Sequence, residues 1–124
     1  MDSLQKALLA NAIFSSISGV FGLLFHSWLA GLFHLNSGRT FWIIGIVLLF
    51  FAMSIVLEFY KKRYWPIVWI IIQDTIWVMG SLLLVVFQPF GISVAGNYVI
   101  GSIALIVAFM AVSQAKALRE VPKP

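Results

Sequence analysis

The sequence contains no cysteine and few charged residues. The missing cysteine excludes disulfide bonds, thiolate metal sites and cysteine nucleophiles. Charged residues make up 10% of the chain and hydrophobic residues 62%, whereas a soluble domain is about 25% charged and about 45 to 50% apolar. Only two histidines and four acidic residues occur among the 124 residues. These scarcities favour a membrane protein and leave few side chains from which to build a catalytic or metal site.

The two histidines do not provide an internal haem site. Axial ligands must face each other from different helices at matching depth, but His26 and His34 both fall at the outer end of the first apolar run or just beyond it. A symmetric pair of His26 side chains across a homodimer stays open. No serine, histidine and acid converge and no glycine-rich phosphate loop occurs. We therefore expect no catalytic residues, no metal site and no cofactor.

Four apolar runs are each long enough to cross a bilayer as a helix, which takes about 20 residues. They cover about 4–25, 41–60, 66–87 and 93–118. Ser93 is predicted to cap the fourth helix, and the apolar spacing in 27–33 predicts a short interfacial helix after the first span. The predicted fold is all-α: a membrane-spanning four-helix bundle forming a single domain over 1–124.

Basic residues are unevenly distributed between the two ends of this layout. Only Arg39 falls at one end. The residues at the other end are Lys6, Lys61, Lys62, Arg63, Lys116, Arg119 and Lys123. By the positive-inside rule both termini should be cytoplasmic. Because the charges flank apolar runs instead of forming a basic face, the net charge of +4 does not indicate nucleic acid.

Small and polar residues recur in steps of three and four in the first and fourth spans. Such spacing places them on one helix face, and small residues let helix backbones approach closely in a membrane. The predicted helix-packing residues are Ser18, Gly19 and Gly22 in the first span and Gly101, Ala104, Ala108 and Ala111 in the fourth. The alternative, that these stripes line a ligand path, stays open.

An acidic residue, Asp74, lies within the third span. Burying a carboxylate in hydrocarbon costs at least about 2.5 to 3.5 kcal/mol, so it should face a partner or a cavity. Helix rise places Asn11 and Ser54 at a similar depth, and Trp77 and Ser81 share a helix face with Asp74. We predict a polar pocket that opens toward the cytoplasm. Its predicted residues are Asn11, Ser15, Ser54, Gln73, Asp74, Trp77 and Ser81.

Two interpretations of Asp74 are open. In the first, Asp74 and Asn11 form a hydrogen bond that holds the first span against the third, and the serines bond to backbone carbonyls. In the second, the desolvated carboxyl exchanges a proton or binds a cationic or hydroxylated ligand stacked on Trp77. Trp77 lies close to the midplane, so interfacial anchoring does not explain it.

Two further polar residues are expected beneath this layer, nearer the cytoplasm. Glu58 is expected to pair with Lys61 or Lys62 one turn further along the helix. Gln114 is expected at a height similar to that of Glu58. Neither residue is assigned to the pocket.

The segments NAIFSSISG at 11–19 and QDTIWVMGS at 73–81 together resemble small bacterial four-span membrane proteins that carry no assigned activity. The resemblance covers most of the chain. It implies a bacterial inner-membrane setting and a shared pattern at Asn11, Ser15, Asp74 and Trp77. It implies no mechanism.

The sequence thus predicts a non-enzymatic membrane protein that binds something within the bilayer. The first hypothesis is an interaction module, either an accessory subunit or a homo-oligomer, because packing stripes are present and catalytic groups are lacking. The alternative is a proton-coupled small transporter or small-amphiphile-binding protein that uses Asp74. The expected partners are the lipid bilayer together with a second copy, another membrane protein or a small amphiphile, and not nucleic acid.

Overall fold

The computed structural model describes residues 2–88 and 91–122, which are helical almost throughout. The helices are α1 (Ser3–Leu24), α2 (His26–Phe33), α3 (Arg39–Lys61), α4 (Tyr64–Phe87) and α5 (Val94–Leu118). All except α2 are long and apolar enough to cross a membrane. The predicted all-α bundle with four spans and a short helix after the first is confirmed.

Three residues used in the sequence predictions lie outside the described residues. Pro89 and Phe90 fall between the predicted third and fourth spans, and Lys123 is one of the basic residues that indicate the orientation. The bounds of the four spans do not depend on them.

Side-chain caps define the beginnings of α1 and α5. The Asp2 carboxylate accepts from the Gln5 backbone N–H at 2.8 Å, and the Gln5 side chain accepts from the Asp2 N–H at 3.3 Å, which forms a capping box. Ser93 caps α5 as predicted, accepting from the Gly96 N–H at 3.0 Å. The Ser93 hydroxyl also donates to the Leu32 carbonyl, so the beginning of α5 is tied to the end of α2.

Glycines allow α1 and α3 to pack with their backbones almost touching. A Cβ placed on Gly19 would lie 2.9 Å from the Gly45 carbonyl oxygen, and one on Gly45 would lie 2.7 Å from the Gly19 oxygen. A Cβ on Gly22 would lie 3.0 Å from the Phe41 oxygen. These neighbours are backbone atoms, so a larger residue requires the helices to separate. Gly19 and Gly22 therefore pack as predicted, and Ser18 beside them is half-buried.

The packing face of α5 is rotated from the predicted one. Ala104 is buried, but Ala108 and Ala111 are only half-buried, and a Cβ on Gly101 would meet no atom within 4 Å. The buried face is formed instead by Ala104, Val107, Met110, Gln114 and Ala117. It includes Gln114 because an amide in a span needs hydrogen-bond partners, and this requirement outweighs the packing advantage of small residues.

Two apolar clusters lie at opposite ends of the bundle. One contains residues from both the beginning of α1 and the end of α5, including Leu4, Leu8 and Leu118. The other contains Leu29, Phe33 and Ile92. The beginning of α1 and the end of α5 therefore lie at the same end of the bundle, which we call the terminal end. The basic residues at this end are Lys6, Lys61, Lys62, Arg63, Lys116 and Arg119, with Arg39 at the opposite end.

The spans form two close pairs. α1 packs along α3, and α4 packs along α5, while α1 also contacts α5. The consecutive helices α3 and α4 approach each other much less, although a short loop joins them. The chain between Lys61 and Tyr64 therefore connects the two pairs without packing α3 against α4 along their length.

Candidate functional site

Three helices meet at a buried cluster of amide and carboxyl side chains. The Asn11 Nδ2 group on α1 donates to Asp74 Oδ2 on α4 at 2.8 Å and to Gln114 Oε1 on α5 at 2.9 Å. The Gln114 Nε2 group donates to the same Asp74 oxygen at 2.8 Å. Ser15 Oγ donates to Asn11 Oδ1 at 3.1 Å. We call Asn11, Asp74 and Gln114 the polar triad, and it joins α1, α4 and α5.

The polar triad is closed to its surroundings. Asn11 and Gln114 are 0% exposed and Asp74 is 4% exposed. The hydrogen bonds that the Asp74 carboxyl accepts come from two amide groups, and neither ion pair of the described residues includes Asp74. In a low-dielectric interior such hydrogen bonds are strong, and leaving one of these groups unpaired is costly. This geometry suits a link between helices.

The other residues predicted for the pocket lie apart from the triad. Ser54 is exposed and donates to the Phe50 carbonyl at 3.2 Å. Ser81 is buried and donates to the Trp77 carbonyl at 2.8 Å, while Trp77 and Gln73 are half-buried. Hydroxyls that bond to the preceding turn satisfy themselves within their own helix, so they do not require a shared site. Of the seven predicted residues, the structure brings together Asn11, Ser15 and Asp74.

Gln114 belongs to the triad, although the sequence estimate placed it nearer the cytoplasm. Depth counted from the helix ends assumes that all of those ends are level. Asn11 lies eight residues after the beginning of α1 and Gln114 four residues before the end of α5, yet their side chains hydrogen-bond. α5 therefore ends roughly 6 Å deeper in the bundle than α1 begins. The position of Gln114, three residues after Ala111 on the predicted stripe, was the available signal.

Glu58 pairs with Arg63, and the predicted pairing with Lys61 or Lys62 is wrong. Arg63 Nε donates to Glu58 Oε1 at 3.1 Å, and Arg63 Nη2 donates to Oε2. Lys62 ends α3 in a left-handed conformation with φ of 50°, and the chain turns so that Arg63 reaches the carboxylate. The hydrogen bond to Glu58 raises the pKa of Arg63. Lys62 pairs instead with Asp2 at 3.0 Å.

A groove with a volume of about 430 Å³ separates α3 from α4. Each wall is one helix face whose residues recur in steps of three and four. The wall residues are Val47, Phe50, Phe51, Ser54 and Leu57 on α3 and Pro66, Trp69, Ile70 and Gln73 on α4. Glu58 and Arg63 also line the groove, at its terminal end. We call this feature the α3–α4 groove.

Gln73 is the polar residue farthest from the terminal end on the α4 wall. It lies about 14 Å along the helix from Tyr64 and is half-buried. Its side chain forms no hydrogen bond with the described residues. A glutamine amide has two donors and an acceptor, and leaving it unpaired in hydrocarbon costs free energy. The α3–α4 groove therefore presents an amide that a bound group can satisfy.

The fold and these features define a multi-pass integral membrane protein with a closed polar triad and an open groove between its two helix pairs. No protein-family model, curated protein or solved structure matches the chain. Within residues 2–88 and 91–122, no three His, Asp or Glu side chains come together in a group that can hold a metal ion.

Proposed function

We propose that the protein is a non-enzymatic interaction module that binds a transmembrane helix of a partner membrane protein in the α3–α4 groove. The carrying observation is the unpaired Gln73 amide in the membrane-spanning part of the groove, beyond the Glu58–Arg63 pair at its terminal end. Helices associate in membranes through close van der Waals packing and occasional interhelical hydrogen bonds. A partner helix with one polar side chain at the depth of Gln73 supplies both.

The dimensions of the groove support a helix as the occupant. From Val47 to Leu57 the α3 wall extends about 15 Å, close to three helical turns. Phe50 and Trp69 provide large apolar surfaces on the two walls. An acyl chain would cover these surfaces but would leave the Gln73 amide unpaired, so a polar-bearing helix is the more complementary occupant.

The rest of the bundle supports the separation of the two walls. α3 is held against α1 by the Gly19–Gly45 contact, and α4 is held to α1 by the Asn11–Asp74 hydrogen bond. α1 therefore positions both walls independently of the loop between them. A preorganised groove binds more tightly because less conformational freedom is lost on binding.

The proposal places the protein in a bacterial inner membrane with both termini in the cytoplasm. The support for this orientation is the concentration of basic residues at the terminal end against Arg39 alone at the other. The inner-membrane setting is what the resemblance at 11–19 and 73–81 implies.

Photo-crosslinking in the native membrane tests the occupant. A photoreactive residue at Phe50, which is 67% exposed and lines the groove, is compared with one at Leu105, which is 75% exposed on α5 and outside the groove. We expect a discrete adduct from position 50 and none from position 105. Mass spectrometry of the adduct identifies the partner segment. An adduct with this chain indicates a second copy, and equal labelling at both positions contradicts the proposal.

Binding of a synthetic peptide with the captured sequence then tests the role of Gln73. Losing one interhelical hydrogen bond of about 0.6 to 2 kcal/mol should weaken binding about threefold to thirtyfold in Gln73→Leu. Thr75→Val is the matched control, because Thr75 is exposed on the same helix and donates to the Ile71 carbonyl at 2.9 Å. Equal effects of the two substitutions on peptide binding in nanodiscs would exclude the proposed contact.

Proton exchange by Asp74 is the second candidate function. The observation in its favour is that this buried carboxyl has no cationic partner among the described residues, and intramembrane carboxyls commonly serve proton relays. Asp74→Asn should then abolish proton movement across liposomes that contain the purified protein. Unchanged proton movement in that variant rejects this candidate and leaves the groove proposal standing.

A further inference from the structure

A second groove lies between α1 and α5, on a different side of the bundle from the α3–α4 groove. It has a volume of about 470 Å³. One wall is the first two turns of α1, including Lys6, Ala7 and Ala10, and the other is the last part of α5, including Phe109 and Lys116. We call it the α1–α5 groove. Asp74 and Gln73 do not line it.

The lining changes from apolar to charged along the groove. Phe109 lies about 10 Å deeper along α5 than Lys116, and Ala10 lies about 6 Å deeper along α1 than Lys6. The deep part is therefore alanine and aromatic surface, and the part nearest the terminal end carries the ammonium groups. An amphiphile with a polar head at the membrane boundary and a chain in the hydrocarbon has the same gradient.

The lysine charges at the shallow end of the groove have no ion-pair partner within the described residues. Lys6 and Lys116 are exposed, and neither forms an ion pair or side-chain hydrogen bond with the described residues. Glu120 also lines the groove, so two cations face one anion and the rim is left with an excess positive charge. Like charges around one groove attract an anion between them.

We propose that the α1–α5 groove binds one anionic phospholipid, with its phosphate between Lys6 and Lys116 and an acyl chain against Ala7, Ala10 and Phe109. Lysine binds phosphate as a point charge, and basic pockets between membrane helices bind anionic head groups. The single excess positive charge of the groove rim equals the single negative charge of a phosphodiester group. The apolar depth distinguishes this site from a surface cation that only attracts soluble anions.

Native mass spectrometry of the purified full chain tests the proposal by titration with phosphatidylglycerol and, separately, phosphatidylcholine. Lys6→Gln and Lys116→Gln should each weaken phosphatidylglycerol binding about fivefold, and the double variant about twenty-fivefold. Lys61→Gln is the matched control, since Lys61 is an exposed lysine at the terminal end outside the groove. It should leave the affinity unchanged, and phosphatidylcholine should bind weakly throughout.

A second variant separates a lipid from a free phosphate. Ala10→Phe fills the apolar part of the groove and keeps both lysines, and Ala10 is exposed, so the folded state can accept the larger side chain. We expect this variant to lose at least tenfold in phosphatidylglycerol affinity while its circular dichroism spectrum is unchanged. The proposal is overturned by equal losses in Lys116→Gln and Lys61→Gln, by full competition from inorganic phosphate, by equal binding of phosphatidylcholine, or by unchanged binding in Ala10→Phe.

Discussion

Asn11 Nδ2 lies 2.8 Å from Asp74 Oδ2, although within the described residues the α1 and α4 backbones do not come close together. The two helices meet through long side chains, and Gln114 from α5 completes the junction. A hydrogen bond between side chains can thus set the distance between spans where small-residue packing is not used.

Replacing Asp74 with leucine should destabilise the bundle more than replacing it with asparagine. Leucine removes the acceptor of both the Asn11 and Gln114 amides, and buried unpaired polar groups cost about 1 to 3 kcal/mol. Asparagine keeps an oxygen that can accept both bonds, so its effect should be smaller. The free energy of unfolding of each variant, measured in mixed micelles, tests this difference.

Thr75→Val serves as the control for that measurement, because its hydroxyl bonds only within its own helix. We expect its unfolding free energy to stay close to that of the unsubstituted protein. Equal stability of Asp74→Leu and Thr75→Val would contradict the role assigned to the polar triad.

The spans could be read from the sequence, but the contents of the junction could be read only in part. Hydrophobic length fixes where helices lie, and the pairing of Asn11 with Asp74 was one of two open interpretations. Counting from helix ends misplaces Gln114, because the beginning of α1 and the end of α5 are not level: Gln114 hydrogen-bonds to Asn11 although it lies nearer to its own helix end. Ser54 was assigned by depth alone, and the structure shows that it faces the α3–α4 groove. Depth does not determine which way a side chain points.

Gly19→Ala and Gly45→Ala should each destabilise the protein. The added methyl would lie 2.9 Å and 2.7 Å from backbone oxygens of the facing helix, and overpacking of this kind costs about 1 to 3 kcal/mol. Gly101→Ala is the matched control, since its Cβ meets no atom within 4 Å. Equal losses of unfolding free energy in all three variants would argue against a specific α1–α3 contact.

The contrast between these glycines shows what a small-residue stripe can predict. The stripe on α1 indicated a close contact that the structure contains at Gly19 and Gly22. The stripe on α5 indicated one at Gly101 and Ala108, where the helix is more open. Small residues permit two helices to approach closely but do not ensure that they do. The partner helix must also carry a small residue at the point of contact, as α3 does at Gly45.

Replacing Arg63 alone should lower the free energy of unfolding more than replacing both Glu58 and Arg63. The Glu58 side chain is only 4% exposed, so Arg63→Gln leaves a buried carboxylate without its cation, and breaking one half of such a pair is destabilising. In the double variant Glu58→Gln/Arg63→Gln the buried carboxylate is also replaced, so no buried charge is left without a partner. Unfolding free energies of the single and double variants measure the difference, and a double variant at least as unstable as Arg63→Gln would contradict this account.

The Asp2 carboxylate that caps α1 should make the stability of the protein depend on pH in the acidic range. Hydrogen bonds from the Gln5 backbone and the Lys62 side chain lower the pKa of Asp2 from its ordinary 3.8. A lowered folded pKa means that the stabilisation is present above the unfolded pKa and is lost as the pH falls through the folded one. Asp2→Asn keeps a capping oxygen but has no charge to pair with Lys62. The thermal midpoint of the unsubstituted protein should exceed that of Asp2→Asn near neutral pH, and the gap should narrow as the pH falls below about 3.9, the ordinary pKa of an aspartate. A gap that does not narrow in acid would show that the Asp2 carboxylate does not stabilise α1 through its charge.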